Sequence, residues 1–286
     1  MKYDYSQLSR EPRAYVRQND ALRCIGPDTE VFLQGQLSQD ISELSDNESA
    51  WSFLLNPNGK VAVWLRVSRI ADDEYLLDMD EGWGQLALNR LKRFKIRVKS
   101  EIQITQLKVT SILGEGSKKL RQASTNSGII SDIGWLNIEG FDLLGESTDA
   151  PDGCEIGTEE EYEFLRISSG VPRMGSELTE DVIPAETNLV ERSVSFTKGC
   201  YTGQELVARL DSRGNRVPKH LRRLRTSGSF ATGSPIEGEN GSVGTVTSCA
   251  ESIKGTIGLG YVSRSFEVPG EATIDGASVL IESAFT

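Results

Sequence analysis

Apolar residues in the first third of the chain occur in short runs separated by turn residues. The runs at 51–55 and 60–67 flank the sequence Asn-Pro-Asn-Gly at 56–59. An Asn-Gly turn between β-prone runs predicts a hairpin. A third strand is predicted at 75–79, where another apolar run follows two aspartates. This region is therefore expected to form antiparallel strands.

Helical spacing appears before and after these strands. Asp28 can cap a short helix that ends at Gly35. Leucines spaced along 84–94 indicate a second helix, and a strand is predicted to follow it near 96–98. Alternation of apolar and polar residues at 102–109 predicts a further strand.

The pattern after position 214 contains strands and turns only. Short β-prone runs separated by glycine-rich turns predict a small β-barrel or sandwich. These runs are found at 221–224, 241–248, 255–262 and 277–281. The chain is thus expected to divide into a body at 1–214, with a subdomain break considered near 100–110, and a barrel at 215–286.

Composition limits the function classes. The 286 residues include 31 Lys and Arg against 42 Asp and Glu, a net charge of −11, which opposes unspecific adhesion to nucleic acid or acidic membranes. No run approaches the ~18 apolar residues that span a bilayer. The first ten residues also lack the apolar segment of a signal peptide. A cytoplasmic protein is expected, without membrane partners and without direct contact to nucleic acid.

The metal-binding residue types are few and dispersed. The four cysteines lie at 24, 154, 200 and 249, with no Cys-x-x-Cys pair, and His220 is the chain's one histidine. A complete metal site within one chain is therefore not expected. Any cluster bound by Cys200 would need ligands from elsewhere.

One stretch, at 198–205, combines a thiol with a predicted helix start. Its residues are Lys198, Gly199, Cys200, Tyr201, Thr202, Gly203, Gln204 and Glu205. Thr202 and Glu205 have the spacing of a capping box, so a helix should begin near Gly203. Cys200 would lie close to the positive end of that helix and to the Lys198 cation, and both features favour a thiolate. The alternative is that Cys200 is a small packing residue.

The stretch 90–99 holds six cations in ten residues. It indicates either an anion-binding edge, as in a folate or RNA sensor, or a solvated helix face that runs into a strand. The second interpretation is the simpler one.

The eight residues at 198–205 match the Lys-Gly-Cys-Tyr-x-Gly-Gln-Glu signature, and on that match the chain resembles the YgfZ family. This family is a branch of the folate-binding glycine cleavage T-protein (aminomethyltransferase) superfamily. Further stretches resemble the same superfamily and extend the likeness over most of the chain. They lie at 32–41, 56–60, 166–172, 184–189, 244–248 and 258–262.

The resemblance implies an α+β fold, with a T-protein-like body of mixed sheets and helices around a central channel and a C-terminal β-barrel. It implies a folate-binding accessory protein that supports iron–sulfur cluster assembly or repair, including the clusters of tRNA-modifying radical enzymes. Tetrahydrofolate is the implied cofactor, and cluster-assembly or client proteins are the implied partners. Cys200, with Lys198, would be the reactive group and could ligate a transient cluster shared with a partner.

Two positions depart from the T-protein pattern. True aminomethyltransferases carry carboxylates in the hairpin strand, whereas 61–65 is Val-Ala-Val-Trp-Leu, and no nearby replacement is apparent from the sequence. A folate-dependent one-carbon (aminomethyl-type) transferase is therefore the alternative function, and whether the protein is an enzyme stays open. Ser168 stands where T-proteins place the glutamate that holds the pterin ring, which weakens the expected folate site.

Three residues are the expected folate contacts. They are Tyr162, Arg166 and Glu186. Tyr162 could stack on an aromatic ring of the ligand, or it could be a strand residue packed in the core.

Overall fold

The computed structural model describes residues 4–5, 8–124, 128–135, 137–145 and 148–284. An eight-stranded, largely antiparallel sheet forms the body, with strand order β2-β3-β4-β1-β5-β7-β6 and β8 paired in parallel to β1. The strands are β1 Arg13–Ile25, β2 Ser49–Leu55, β3 Val61–Ala71, β4 Glu74–Asp80, β5 Glu101–Leu113, β6 Ile129–Asp132, β7 Gly140–Gly145 and β8 Glu155–Ile156.

Two long strands form the centre of this sheet. β1 and β5 are antiparallel and pair along 13 residues each. The subdomain break considered near 100–110 falls inside β5, which is continuous there. The body sheet is thus one unit across that region.

The predicted hairpin and third strand are present as β2, β3 and β4. The turn between β2 and β3 closes with a hydrogen bond from the Gly59 N–H to the Asn56 carbonyl of 2.8 Å. Gly59 has φ +80°, a conformation that favours glycine. The Asn-Gly signal therefore reports a real backbone requirement.

Within the described ranges, six α-helices cover the sheet and connect it to the barrel. They are α1 Thr29–Gln34, α2 Gly84–Phe94, α3 Ser117–Ala123, α4 Glu159–Ser168, α5 Val190–Ser193 and α6 Gln204–Asp211, with a 3₁₀ turn at Pro184–Glu186. α1 ends at Gly35 and α2 has its predicted bounds. The strand predicted near 96–98 is wrong: no strand forms there, and Arg97 has φ +58°, which interrupts an extended backbone.

The prediction that Tyr162 is a strand residue is also wrong, because Tyr162 lies in α4. The helix begins with a capping box in which the Thr158 side chain accepts from the Glu161 N–H and the Glu161 carboxylate accepts from the Thr158 N–H. Three glutamates in its first turn complement the helix dipole. Thr158 followed by the acidic residues 159–161 is the local signal for this helix start.

The cationic stretch 90–99 does not form a single exposed edge. Arg90 is 8% exposed, donates from Nη2 to the Leu55 carbonyl at 2.6 Å and stacks over the Phe94 ring. The remaining cations divide between the end of α2 and an irregular segment. A helix face followed by a loop describes the stretch better than an anion-binding edge.

The C-terminal region is a closed six-stranded barrel, as predicted. Its strand order is β10-β11-β12-β9-β14-β13. The strands are β9 Lys219–Thr226, β10 Pro235–Gly238, β11 Gly241–Ser252, β12 Gly255–Ser263, β13 Gly270–Ile274 and β14 Ala277–Ser283.

A buried polar junction joins the barrel to the body. The Glu177 carboxylate is fully buried and accepts from the Arg166 guanidinium of α4 and from the hydroxyls of Thr247 and Ser248 in β11. The Tyr261 hydroxyl donates to the Glu177 carbonyl at 3.0 Å. These contacts fix the barrel against α4.

Within the described residues, no helix is long and apolar enough to cross a membrane.

Candidate functional site: a central cavity and an exposed thiol loop

A cavity of about 240 Å³ lies between the body sheet and α4. Its walls combine aromatic rings with charged side chains from distant parts of the chain. The lining includes Arg17, Asn19, Trp51, Trp64, Arg66, Asp80, Glu81, Trp135, Asp142, Glu159, Tyr162, Arg166 and Arg173.

Four aromatic rings form two pairs in the cavity wall. Trp51 and Trp64 come from neighbouring strands and stack with ring centroids 4.1 Å apart and an interplanar angle of 17°. Trp135 and Tyr162 are tilted at 53° with centroids 5.4 Å apart. Such surfaces suit a flat, partly aromatic ligand.

A buried ion cluster supports one side of the cavity. Arg66 is 1% exposed and makes two contacts of 3.0 Å to Asp78 and one of 2.7 Å to Asp142. Asn19 donates to Asp78, and Ser111 donates to Asp142. Burial opposes the charge on Arg66, but the two carboxylates outweigh it and raise its pKa. This fully bonded cluster makes the wall rigid.

Carboxylates also reach the cavity, contrary to the expectation that none replaces those missing from 61–65. Asp80 is the last residue of β4, Glu81 follows it, and Glu159 is in the first turn of α4. Asp80 accepts from the Met174 N–H at 2.9 Å, and Glu159 lies 3.8 Å from Arg173. The sequence did not reveal this replacement because it arises from other elements.

Two donors in the wall have no protein partner among the described residues. They are Trp51 Nε1 and Arg17 Nε, and both atoms are buried. The Arg17 guanidinium lies 4.4 Å from the centre of the Tyr162 ring and donates to Ser111 at 3.0 Å. Buried donors without acceptors are costly, so both are suited to a ligand's acceptor atoms.

The three expected folate contacts separate in space. Tyr162 and Arg166 both line the cavity. The Arg166 guanidinium, however, is engaged by Glu163, Glu177, Ser248 and the Val171 carbonyl.

Glu186 lies outside the cavity lining. Its carboxylate accepts from the Ile183 N–H at 3.3 Å, and burial raises its pKa. Ser168 also faces away, because its hydroxyl donates to the Leu165 carbonyl of its own helix. Tyr162 is therefore the predicted contact that is best placed to meet a ligand.

The thiol loop, defined as 198–205, lies apart from the cavity. Among the described residues, those that line the cavity include none from 198–205. Its helix, α6, begins at Gln204 as the sequence indicated. The predicted capping box is wrong: no side chain caps the helix, and the Thr202 hydroxyl contacts Gln36 instead, at 3.4 Å. Gln204 accepts from the Tyr201 N–H at 3.0 Å.

Gly203 allows the loop to approach the hairpin turn closely. It has φ +84°, and a Cβ there would lie 2.6 Å from the Asn56 carbonyl oxygen and 2.8 Å from Leu55 Cβ. The Thr202 N–H donates to the Gly35 carbonyl at 3.1 Å. Three stretches recognised separately in the sequence thus meet at this loop: 32–41, 56–60 and 198–205.

Lys198 anchors the loop. Its ammonium donates to the carbonyls of Leu37 at 2.8 Å and Gln39 at 2.7 Å, and to Gln34 Oε1 at 3.2 Å. Burial lowers the pKa of Lys198 to about 8, although Asp40 acts in the opposite direction. Since the ammonium is engaged with the 34–39 segment, its expected effect on the Cys200 thiol stays a prediction.

Cys200 is exposed, whereas its neighbour Tyr201 is buried in an apolar cluster with Leu55, Trp64 and Val207. The other three cysteines are less exposed than Cys200. Burial raises the pKa of the Cys24 thiol to about 12 and also raises that of Cys154. The alternative of Cys200 as a buried packing residue is therefore excluded. No group of three or more metal-binding side chains occurs within the described ranges.

Comparison with known proteins identifies the type of fold. No family model matches the chain. A crystal structure of the glycine cleavage system aminomethyltransferase T from Bartonella henselae has a TM-score of 0.78 and 19% identity, and the match covers 96% of this chain and 86% of that one. The fold is therefore of the T-protein type, as predicted.

Sequence relatives narrow this class. The tRNA-modifying protein YgfZ of Klebsiella pneumoniae is 29% identical over 260 residues, which cover 82% of this chain and 77% of that protein. The YgfZ protein of Photorhabdus laumondii is 30% identical over 211 residues, covering 66% and 63% respectively. The chain is therefore similar to proteins of the YgfZ family along most of its length, and it has the fold of the T-protein.

Proposed function

We propose that this protein is a folate-binding accessory factor that supports iron–sulfur cluster assembly or repair, with Cys200 as its reactive group. The main support for this proposal is that the protein has two separate sites. One is an aromatic and polar cavity, and the other is an exposed thiol on a firmly anchored loop. The relatives are named tRNA-modifying proteins, which supports clients that include tRNA-modifying enzymes.

The cavity residues suit a reduced folate. Its rings could pack against the tryptophan pair or the Trp135–Tyr162 pair. Asp80, Glu81 or Glu159 could accept hydrogen bonds from an aminopterin edge, which offsets the loss of the glutamate at Ser168. Trp51 Nε1 and Arg17 Nε supply donors for its carbonyl or carboxylate oxygens. When bound, the folate would supply one-carbon chemistry.

The iron–sulfur cluster would be cargo that the protein helps to transfer, not a cofactor that it keeps. A single exposed thiol cannot complete a four-ligand cluster site, so Cys200 would contribute one ligand to a cluster shared with a client or assembly protein. Alternatively, it would attack a disulfide of a client, form a mixed disulfide and release the client's second sulfur as a thiol. The anchored backbone on either side of Cys200 would present the thiol in a constant position.

The test is complementation in a strain that lacks the protein's own gene. Cys200→Ser should fail to restore the activity of a cluster-dependent tRNA-modifying enzyme. Cys249→Ser, which changes a half-buried barrel cysteine, should restore it. Both variants should accumulate as folded protein. Full rescue by Cys200→Ser would refute the thiol role.

The second candidate is folate-dependent one-carbon transfer, and the cavity carboxylates favour it. Glu81 and Glu159 line the cavity at positions that could serve proton transfer. This candidate predicts turnover of an aminomethyl donor that requires tetrahydrofolate and is lost in Glu81→Gln or Glu159→Gln. Absence of turnover with saturable folate binding would leave the accessory role.

A further inference from the structure

A continuous series of contacts joins the central cavity to the thiol loop through Arg192 of α5. At the cavity end, the Arg192 guanidinium donates from Nη2 to the Ile133 carbonyl at 3.0 Å and from Nη1 to the Gly134 carbonyl at 3.1 Å. Ile133 and Trp135 line the cavity on this short segment. Arg192 therefore holds one edge of the wall.

The same guanidinium contacts the tryptophan pair. Its central carbon lies 5.3 Å from the ring centre of Trp51 and 5.6 Å from that of Trp64. The approach to the backbone is tight, because a Cβ at Gly134 would lie 2.9 Å from Arg192 Nη2. Gly134 has φ +62°. Movement of Trp51 or Trp64 by a ligand would therefore act directly on Arg192.

At its other end, Arg192 belongs to a backbone segment held by residues 38 and 39. Gln39 Nε2 donates to the Arg192 carbonyl at 3.2 Å, and the Ser38 hydroxyl donates to the Ser193 carbonyl at 2.6 Å. The Ser195 N–H donates back to the Ser38 carbonyl at 3.0 Å. The position of α5 and that of the 38–39 backbone are thus mutually dependent.

The thiol loop takes its anchor from this same backbone. Lys198 donates to the Gln39 carbonyl at 2.7 Å and to the Leu37 carbonyl at 2.8 Å. Cys200 follows two residues later. Every step from the cavity wall to the thiol loop is therefore a direct hydrogen bond or a covalent connection.

The charges around Arg192 would allow a ligand in the cavity to change the preferred arrangement of its guanidinium. Its partners at the cavity are two neutral carbonyls, and in the described ranges it forms no salt bridge. Burial and the nearby cation Arg66 together lower the pKa of Arg192 to about 10, although Asp142 acts in the opposite direction. An anionic, aromatic ligand in the cavity would relieve that repulsion and favour one arrangement of the guanidinium. A difference in interaction energy between two arrangements is what a ligand needs in order to shift an equilibrium.

We propose that Arg192 is a positioning residue that couples occupancy of the central cavity to the state of the Cys200 loop. The inference rests on the proposed folate function, since the cavity ligand is a reduced folate. Thermodynamic reciprocity then applies: if folate changes the exchange equilibrium of the Cys200 thiol, modification of that thiol changes folate affinity by the same factor.

The test measures the equilibrium in which Cys200 and glutathione disulfide form a protein–glutathione mixed disulfide and release glutathione. The equilibrium constant is determined by mass spectrometry with and without saturating 5-formyltetrahydrofolate, with Cys200→Ser as the blank. We expect a change of about fivefold or more, within the usual range of coupling between sites. Calorimetry should show the same factor between the folate Kd values of the free and glutathionylated proteins.

Arg192→Gln should reduce the coupling factor to about one while folate still binds. The matched control is Arg209→Gln, an exposed arginine of α6 that lies outside the cavity lining and outside the contact series, and it should keep the wild-type factor. Saturable folate binding with an unchanged thiol equilibrium in the wild type would overturn the coupling and leave the folate proposal intact. Absence of saturable binding would overturn the folate proposal and this inference together.

Discussion

The central cavity and the thiol loop differ in how the chain builds them. The cavity collects side chains from β1, β2, β3, the end of β4, the segment before β7, and α4. The thiol loop is one uninterrupted stretch of eight residues. The cavity wall is stabilised by a buried ion cluster, whereas the loop is anchored by a lysine on neutral oxygen atoms.

This difference separates two tasks. Enclosure and fixed charges suit recognition of a ligand whose shape does not change. Exposure suits a thiol that must meet a second protein.

The largest effect is expected at the ion cluster. Arg66→Met would leave Asp78 and Asp142 buried without their cation, so the free energy of unfolding should fall by about 3–5 kcal/mol. The control, Lys60→Met, removes an exposed pair with Asp181 and should cost less than about 1 kcal/mol. Urea denaturation measures both. Equal losses would show that the cluster does not stabilise the cavity wall.

The next effect concerns the backbone of the loop. Gly203→Ala adds a Cβ at φ +84° in contact with Asn56 and Leu55, and should destabilise the protein by about 2 kcal/mol. Gly199→Ala, in the same loop, adds a Cβ with no atom within 4 Å and should change stability by less than about 0.5 kcal/mol. Equal unfolding midpoints for the two variants would contradict the close packing at Gly203.

A smaller effect is expected in ligand affinity. Trp135→Leu removes one ring of the tilted pair in the cavity, so 5-formyltetrahydrofolate should bind roughly tenfold more weakly, about 1.4 kcal/mol. Trp83→Leu changes a tryptophan outside the cavity lining and should leave the Kd within about twofold. Calorimetry distinguishes the two. Equal weakening would mean that the ligand binds elsewhere.

The smallest expected effect is the change of stability with pH that comes from the titration of Lys198. The pKa of Lys198 in the folded protein, about 8, is below the 10.5 of an ordinary lysine. As the pH rises, the folded protein therefore releases this proton first, and stability attributable to Lys198 increases between about pH 8 and 10.5. NMR of ¹³Cε-labelled lysine should show one resonance with a midpoint near 8 that is absent from Lys198→Arg. If every lysine titrated near 10.5, the burial of this ammonium would be refuted.

Much of the fold follows from local sequence signals. The hairpin, α2 and the barrel strands are each specified by turn residues or by periodicity within a few positions. The errors have local causes as well. Residues 96–98 are β-prone, but Arg97 adopts a left-handed conformation, and tertiary contacts rather than propensity determine that segment.

The two parts of the site differ in predictability for the same reason. Cys200 and its neighbours are contiguous, so their pattern is visible in the chain. Arg17, Trp51 and Asp142 carry no pattern that links them, since only the sheet order β2-β3-β4-β1-β5-β7 brings their strands together. An arginine and an aspartate within otherwise apolar strands, such as Arg66 and Asp142, are the one signal that could have indicated a buried cluster.

The central claim is that the cavity binds a reduced folate and that the thiol is a separate site. Titration with tetrahydrofolate, followed by tryptophan fluorescence, tests it directly, because three of the four tryptophans (Trp51, Trp64 and Trp135) line the cavity. We predict saturable quenching in the wild type and in Cys200→Ser, with midpoints within about twofold of each other. Quenching that never saturates, or that disappears in Cys200→Ser, would contradict the account.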